Sequence, residues 1–175
     1  MQQTELAILD WMQTHLRCGA LDAFFPWFTS LANHGEVWIA LAVLLLFWKK
    51  TRQTGLSVGA GLVLDYAVCN LTLKPLIGRI RPFVVNTAVE LLVAAPTDAS
   101  FPSGHTAVSF AAAGALYGAG SPLWKPAAVA AALMAVSRLY LYVHWPTDIL
   151  GGALLGWMLG FAARWILCKA DELRR

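Results

Sequence analysis

A chain of 175 residues with 58% hydrophobic and only 13% charged residues carries more apolar surface than a soluble globular domain buries. Its formal net charge of +3 is small and dispersed, which excludes nucleic acid as a partner, and Cys18, Cys69 and Cys168 stand singly, in neither a disulfide framework nor a metal-binding spacing. The composition predicts an all-α integral membrane helical bundle in the cell membrane, a single domain over residues 1–175 with no internal repeat.

Glu5, Asp10 and Arg17 interrupt the region where a cleavable leader would carry its apolar core, so insertion is expected to use the mature helices. Ile8, Leu9, Trp11, Met12 and Leu16 recur at helical spacing, which predicts an N-terminal amphipathic helix lying on the membrane. Leu21 to Leu31 is apolar but short, and reads either as a half-inserted helix or as part of a sixth span. These short helices, residues 1–31, precede a bundle over 35–168 and a cytoplasmic tail over 169–175.

Val37 to Trp48 is uncharged and approaches the ~20 residues of a spanning helix if it extends back through Leu31 to Glu36. Gly55 to Leu73 is apolar apart from Asp65, Tyr66 and Asn70, and closes at Lys74 and Pro75. Thr106 to Trp124, Pro126 to Tyr142 and Ile149 to Cys168 follow, separated by short turns, so five to six membrane-embedded helices are expected. Alternating five spans puts Lys49, Lys50, Arg52, Lys125 and the tail on the cytoplasmic side, leaving Lys74, the 78–103 loop, His105 and His144 on the extracytoplasmic face. Gly151, Gly152, Gly156 and Gly160 include small residues four apart, which predicts close helix packing. Tryptophans 27, 38, 48, 124, 145, 157 and 165 fit interfacial anchoring, Asp65 reads as a protonated or hydrogen-bonded packing residue, and His34 as a solvated loop histidine.

Three polar clusters fall where apolar stretches end. Lys74 and Arg81 are separated by six residues, with Pro75 and Pro82 limiting the chain; such cations suit a phosphoryl group, and equally suit snorkelling to lipid headgroups. Pro102-Ser103-Gly104-His105 precedes an uncharged run, so Ser103 can cap a helix whose first amides point at an anion, Gly104 permits close approach, and His105 can donate a proton to a leaving oxygen. Arg138 sits near the end of an apolar segment, where a charge needs a polar cavity. His144 and Asp148 are four apart across Pro146, so the carboxylate can hold one imidazole nitrogen and leave the other free to attack phosphorus.

These segments resemble the signature of the type 2 phosphatidic acid phosphatase family: Lys, six residues, Arg-Pro; Pro-Ser-Gly-His; then Ser-Arg, five residues, His, three residues, Asp. Lys74 to Pro82, Pro102 to His105 and Ser137 to Asp148 match every position, and the resemblance extends over roughly Leu31 to Leu167. Members are membrane or soluble acid phosphatases, and vanadium haloperoxidases share the anion site. The resemblance implies that His144 attacks phosphorus to give a phosphohistidine, that Asp148 orients it, and that His105 protonates the leaving group. It further implies that Lys74, Arg81, Ser103, Gly104 and Arg138 hold the phosphoryl oxygens, with no metal and no other cofactor. In the outer loop Glu90 and Asp98 are well separated and give no metal-ligand spacing.

The expectation is a membrane lipid phosphatase whose partners are the bilayer and a lipid substrate, with a homodimer admitted. Short bacterial members resemble undecaprenyl-diphosphate phosphatases, so hydrolysis of that carrier lipid for peptidoglycan synthesis is the leading reading. Phosphatidylglycerophosphate or phosphatidic acid phosphatase and lipid phosphotransferase are alternatives within the class. A non-catalytic lipid-translocating or anion-binding bundle is the alternative outside it.

Overall fold

The computed structural model describes residues 2–173, and among them there is no strand. The helices are α1 (Gln2–His15), α2 (Gly19–Ser30), α3 (Glu36–Leu46), α4 (Arg52–Asp65), a π-helical segment Tyr66–Leu73, α5 (Lys74–Ile77), α6 (Pro82–Val85), α7 (Gly104–Gly118), α8 (Trp124–Tyr140) and α9 (Pro146–Leu173). Two stretches are long and apolar enough to cross a membrane, Arg52–Val85 and Pro146–Leu173, each with a mean hydropathy of 1.5, while Glu36–Leu46 is a shorter apolar helix. Outward-facing Val63, Val129, Leu150 and Leu154 keep 63–70% exposure, so the outer surface is apolar, as a lipid-facing surface must be.

Two expected boundaries are corrected. The helix at Val37 does not extend back to Leu31, because Gly35 adopts φ 77 and so starts α3 at Glu36. The segment ending at Leu73 does not stop at Lys74-Pro75 either. Its hydrogen-bond ladder widens to π spacing over Tyr66–Leu73 and runs on to Ile77, where Gly78 at φ 58 ends it. Pro75 follows the π-helical segment directly, in the first turn of α5.

The bundle is built around α7, which lies against α4, α8 and α9. Glycine makes the α7–α9 contact: a Cβ at Gly156 would sit 2.0 Å from the Ala107 carbonyl oxygen, and one at Gly160 2.0 Å from that of Ala111. The two backbones therefore touch, as the small residues four apart predict. This approach brings the first residues of the two helices side by side, and the Ser103 amide donates to the Asp148 carbonyl at 3.2 Å.

The N-terminal helices pack on the protein. In α1, Leu9 is fully buried against Tyr142 and Trp145, whereas Ile8 and Trp11 are exposed, so the buried stripe rests on the turn before α9. Phe25 of α2 meets Tyr140 of α8 at a ring separation of 4.7 Å. Of the tryptophans expected to anchor at the interface, Trp27, Trp48 and Trp165 are exposed, and two others are buried instead. Trp38 is buried and donates to Ser109 at 3.0 Å; Trp145 is fully buried and donates to the Ile80 carbonyl at 2.8 Å, since each indole finds an internal acceptor. At the end of the bundle away from Lys74 and His144, Gln53 donates to Asp171 at 3.1 Å and ties the start of α4 to the end of α9. Of the tail, Lys169 to Leu173 continues α9, and Arg174 and Arg175 lie outside the described residues.

Candidate active site

Six of the expected site residues, Lys74, Arg81, Gly104, His105, Arg138 and His144, line one cavity of about 920 Å³. They are delivered by the ends of five elements: α5 gives Lys74, the residue before α6 gives Arg81, α7 begins with Gly104 and His105, α8 ends near Arg138, and His144 precedes α9. Asp98 and Asn33 share the polar end of the cavity, and Ile39, Val43, Leu56 and Val63 of α3 and α4 line the rest. Those four are 43–69% exposed, so the apolar part opens sideways between α3 and α4.

At the polar end, His144 is 1% exposed. Its Nδ1 lies 3.4 Å from Asp148 Oδ2, and its Nε2 lies 3.3 Å from Arg81 Nη1. Asp148 is held from three further directions: Ser100 Oγ donates to Oδ2 at 2.5 Å, the Trp145 amide donates to Oδ2 at 2.9 Å, and Arg79 Nη1 donates to Oδ1 at 2.6 Å. Burial pushes the His144 imidazole down to about 3; the hydrogen bond to Asp148 pulls the other way, and the charges of Arg81 and Arg138 add to the fall. A neutral imidazole whose Nδ1 faces a carboxylate keeps its Nε2 lone pair directed at the cavity.

The cations are already engaged. Arg81 Nη1 donates to the Val143 carbonyl at 2.7 Å, Nε to the Asp98 carbonyl at 2.9 Å and Nη2 to Asp98 Oδ1 at 2.7 Å. Lys74 Nζ donates to Asp98 Oδ2. Burial raises the Asp98 carboxyl, but the hydrogen bonds and charge of Lys74, then those of Arg81, outweigh it and hold it at about 2. Arg138 Nη1 donates to Thr29 of α2 at 2.6 Å, while its Nε is buried without a partner. Lys74 approaches the helix start at Gly104, where a Cβ would stand 3.4 Å from Lys74 Nζ and 3.3 Å from Asn70 Oδ1. His105 Nε2 meets Asn33 Oδ1 at 3.2 Å.

Two expected residues do not line the cavity. Asp148 stands behind His144, as an orienting residue must. Ser103 precedes α7 but makes no side-chain cap; its hydroxyl is fully buried and accepts from Thr106 Oγ1 at 3.0 Å, because the close α7–α9 contact turns it inward. Asp65 lies in the cavity wall, and of the two alternatives, protonated or hydrogen-bonded, the second is not found: both carboxylate oxygens are buried without a partner. His34 is a loop histidine, 87% exposed and paired with Glu36.

Sequence reasoning missed a second layer. Arg79 bridges Asp148 to Glu5 of α1, donating to Glu5 Oε2 at 2.7 Å, while Glu5 Oε1 accepts from the Thr147 amide at 3.0 Å and Arg79 stacks over Trp145 at 5.2 Å. Arg79 shares a turn with Arg81, so its place near the site was readable; its partners, 69 and 74 residues away, were not. Asp98 and Ser100 come from an irregular loop, which has no period to read.

The sequence profile of the PAP2 superfamily matches residues 54–171. The chain belongs to the PAP2 superfamily. This PAP2 chain is 35% identical over 135 residues to an undecaprenyl-diphosphatase of Sulfolobus acidocaldarius, covering 77% of this chain and 65% of that protein. It therefore spans just under two thirds of that relative's length. It is 37% identical over 157 residues to a putative undecaprenyl-diphosphatase of Escherichia coli, covering 83% of this chain and 76% of the other. Its fold is similar to the crystal structure of a transmembrane PAP2 type phosphatidylglycerolphosphate phosphatase from Bacillus subtilis, with a TM-score of 0.78 and 28% identity over 96% of this chain and 86% of that one. The PAP2 chain is thus an all-helical membrane protein.

Proposed function

We propose that the protein is a multi-pass membrane lipid phosphatase that hydrolyses an isoprenoid diphosphate, undecaprenyl diphosphate, to the monophosphate and phosphate. One observation carries the reading: His144, backed by Asp148 and faced by Arg81, stands at the polar head of a cavity whose remainder is an apolar groove opening sideways between α3 and α4. A headgroup at His144 and a hydrocarbon chain in that groove are what one membrane lipid would supply. The curated undecaprenyl-diphosphatases among its relatives favour the isoprenoid over a glycerolipid.

The chemistry follows from the donors. His144 Nε2 attacks the terminal phosphorus in line, forming an N–P bond as the P–O bond to the lipid phosphate breaks; Asp148 stabilises the imidazolium that develops. His105, at the start of α7, gives a proton to the departing oxygen, and later takes one from the water that attacks the phosphohistidine and releases phosphate. Lys74, Arg81 and Arg138 hold the equatorial oxygens, where charge accumulates. The family resemblance gives this chemistry no metal. The positive-inside argument puts the site on the extracytoplasmic face, with five to six embedded helices and α1 at the interface.

The test is phosphate release by purified protein in detergent with excess EDTA, from undecaprenyl diphosphate and from phosphatidylglycerophosphate, beside His144→Ala. Preference for the isoprenoid, lost in the variant, is expected. Preference for the glycerolipid would move the substrate, strict Mg2+ dependence would overturn the mechanism, and release unaffected by His144→Ala would refute the assignment of the nucleophile.

A further inference from the structure

Two of the cations lining the cavity are joined by one carboxylate. Asp98 Oδ2 accepts from Lys74 Nζ and Oδ1 accepts from Arg81 Nη2 at 2.7 Å, so its oxygens span the cations as two oxygens of a phosphoryl group would. Unlike Asp148 and Arg81, which are enclosed, the Asp98 side chain is 49% exposed on the irregular loop before α7, and it borders the cavity. It is thus placed where it can swing out without disturbing the core. It is also held as an anion, at about 2, so it remains charged throughout neutral conditions.

We infer that Asp98 is a tethered anion that occupies the phosphoryl site when no substrate is bound and so sets the affinity an incoming anion must bring, a level that a phosphate dianion reaches and a phosphodiester does not. This rests on the reading of the cavity as a phosphoryl site. A terminal phosphate carries about −1.5 to −2 at neutral pH, so exchanging a carboxylate for it increases the negative charge facing Lys74, Arg81 and Arg138. A phosphodiester carries a single charge, like the carboxylate it must displace, and gains no charge in the exchange. It also competes with a group on the same chain, whose effective concentration is on the order of millimolar or above. In a bilayer made largely of phosphodiester lipids, cations left bare would be occupied by bulk headgroups, and the tethered carboxylate prevents this.

The experiment measures binding, not turnover. Inorganic phosphate and dimethyl phosphate are titrated calorimetrically into wild-type protein and Asp98→Asn in detergent, with phosphatidylglycerol added in parallel as an inhibitor of phosphate release. Wild-type protein is expected to bind phosphate at least about tenfold more tightly than dimethyl phosphate, and the variant to tighten for both by about tenfold, since a carboxylate no longer competes for Lys74 and Arg81. Phosphatidylglycerol is expected to inhibit the variant more strongly than wild type. Weaker or unchanged phosphate binding in Asp98→Asn would overturn the inference and make Asp98 a residue that merely positions Lys74 and Arg81. Equal affinity of the wild type for the two ligands would overturn it without recourse to any variant. Absence of phosphate binding to either protein would instead refute the phosphoryl-site reading itself, and the inference with it.

Discussion

Gly156→Ala tests whether the site depends on contact between the backbones of α7 and α9. The new Cβ would lie 2.0 Å from the Ala107 carbonyl oxygen, 2.8 Å from its carbon and 3.0 Å from its Cα, far inside the roughly 3.5 Å of comfortable contact. All three atoms are backbone, so no rotamer change relieves the clash, and the helices must separate by about an ångström. Overpacking of this kind costs about 1–3 kcal/mol; with only backbone to yield we expect about 3 kcal/mol, a fall in melting temperature on the order of 10 °C. The same separation moves Asp148 and His144, at the head of α9, away from His105 at the head of α7, and a displacement near 1 Å at a reacting centre costs roughly 10²-fold in rate. The assays are thermal melting in detergent and phosphate release. Gly59→Ala is the control: it lies in α4 with nothing within 4 Å of its Cβ, and gains up to about 1 kcal/mol of helix propensity. An unchanged melting temperature with full turnover in Gly156→Ala would refute the account of how these helices set the site.

Arg79→Gln removes the bridge between Asp148 and Glu5 and leaves two buried carboxylates short of a partner; we expect a loss of about 2 kcal/mol, reduced because Arg79 is 26% exposed, and roughly 10²-fold in kcat with little change in KM. A change in KM alone would place Arg79 among substrate contacts. His144→Ala is expected to lower kcat by about 10⁴-fold or more while the protein still binds vanadate, measured by competition against phosphate. Acid should destabilise the fold in a defined window. His144 sits at about 3 against an ordinary 6.5, so the unfolded chain binds a proton the folded protein refuses, and stability falls as pH drops from 6.5 towards 3; Asp98, at about 2 against 3.8, contributes stability above 3.8 that is lost as pH falls through 2. A melting temperature that rises over that descent would contradict both assignments. Asp65→Leu removes a buried carboxylate with neither oxygen partnered, and is expected to raise stability by about 1–3 kcal/mol in thermal melts of the ligand-free protein; a fall would show that the carboxylate has a partner in solution.

The residues lining the polar end of the cavity were legible in sequence because each stands where an apolar helix stops, and polar groups at such points have a clear physical signature. Helix packing was legible for a related reason: Gly152, Gly156 and Gly160 fall on one face and have no other use there. Gly35 was not read as a helix start, because a glycine reveals its left-handed backbone only once the chain is folded. The π-helical segment was equally hidden, since an apolar run containing Asp65 and Asn70 has the same composition at either ladder spacing. Glu5, Arg79, Asp98 and Ser100 escaped because their meaning lies in partners many residues distant, and a single charged residue in a loop or an amphipathic helix looks solvated until its counterpart is placed beside it.

The sideways opening between α3 and α4 bears on how the protein should be assayed. A substrate whose hydrocarbon chain lies in a groove open to lipid is delivered by diffusion in the plane of the bilayer, so the concentration that governs saturation is its mole fraction among lipids or detergent. Adding micelles at constant substrate should slow the rate by surface dilution, and adding buffer should not. Michaelis constants from different detergents become comparable only on that two-dimensional scale.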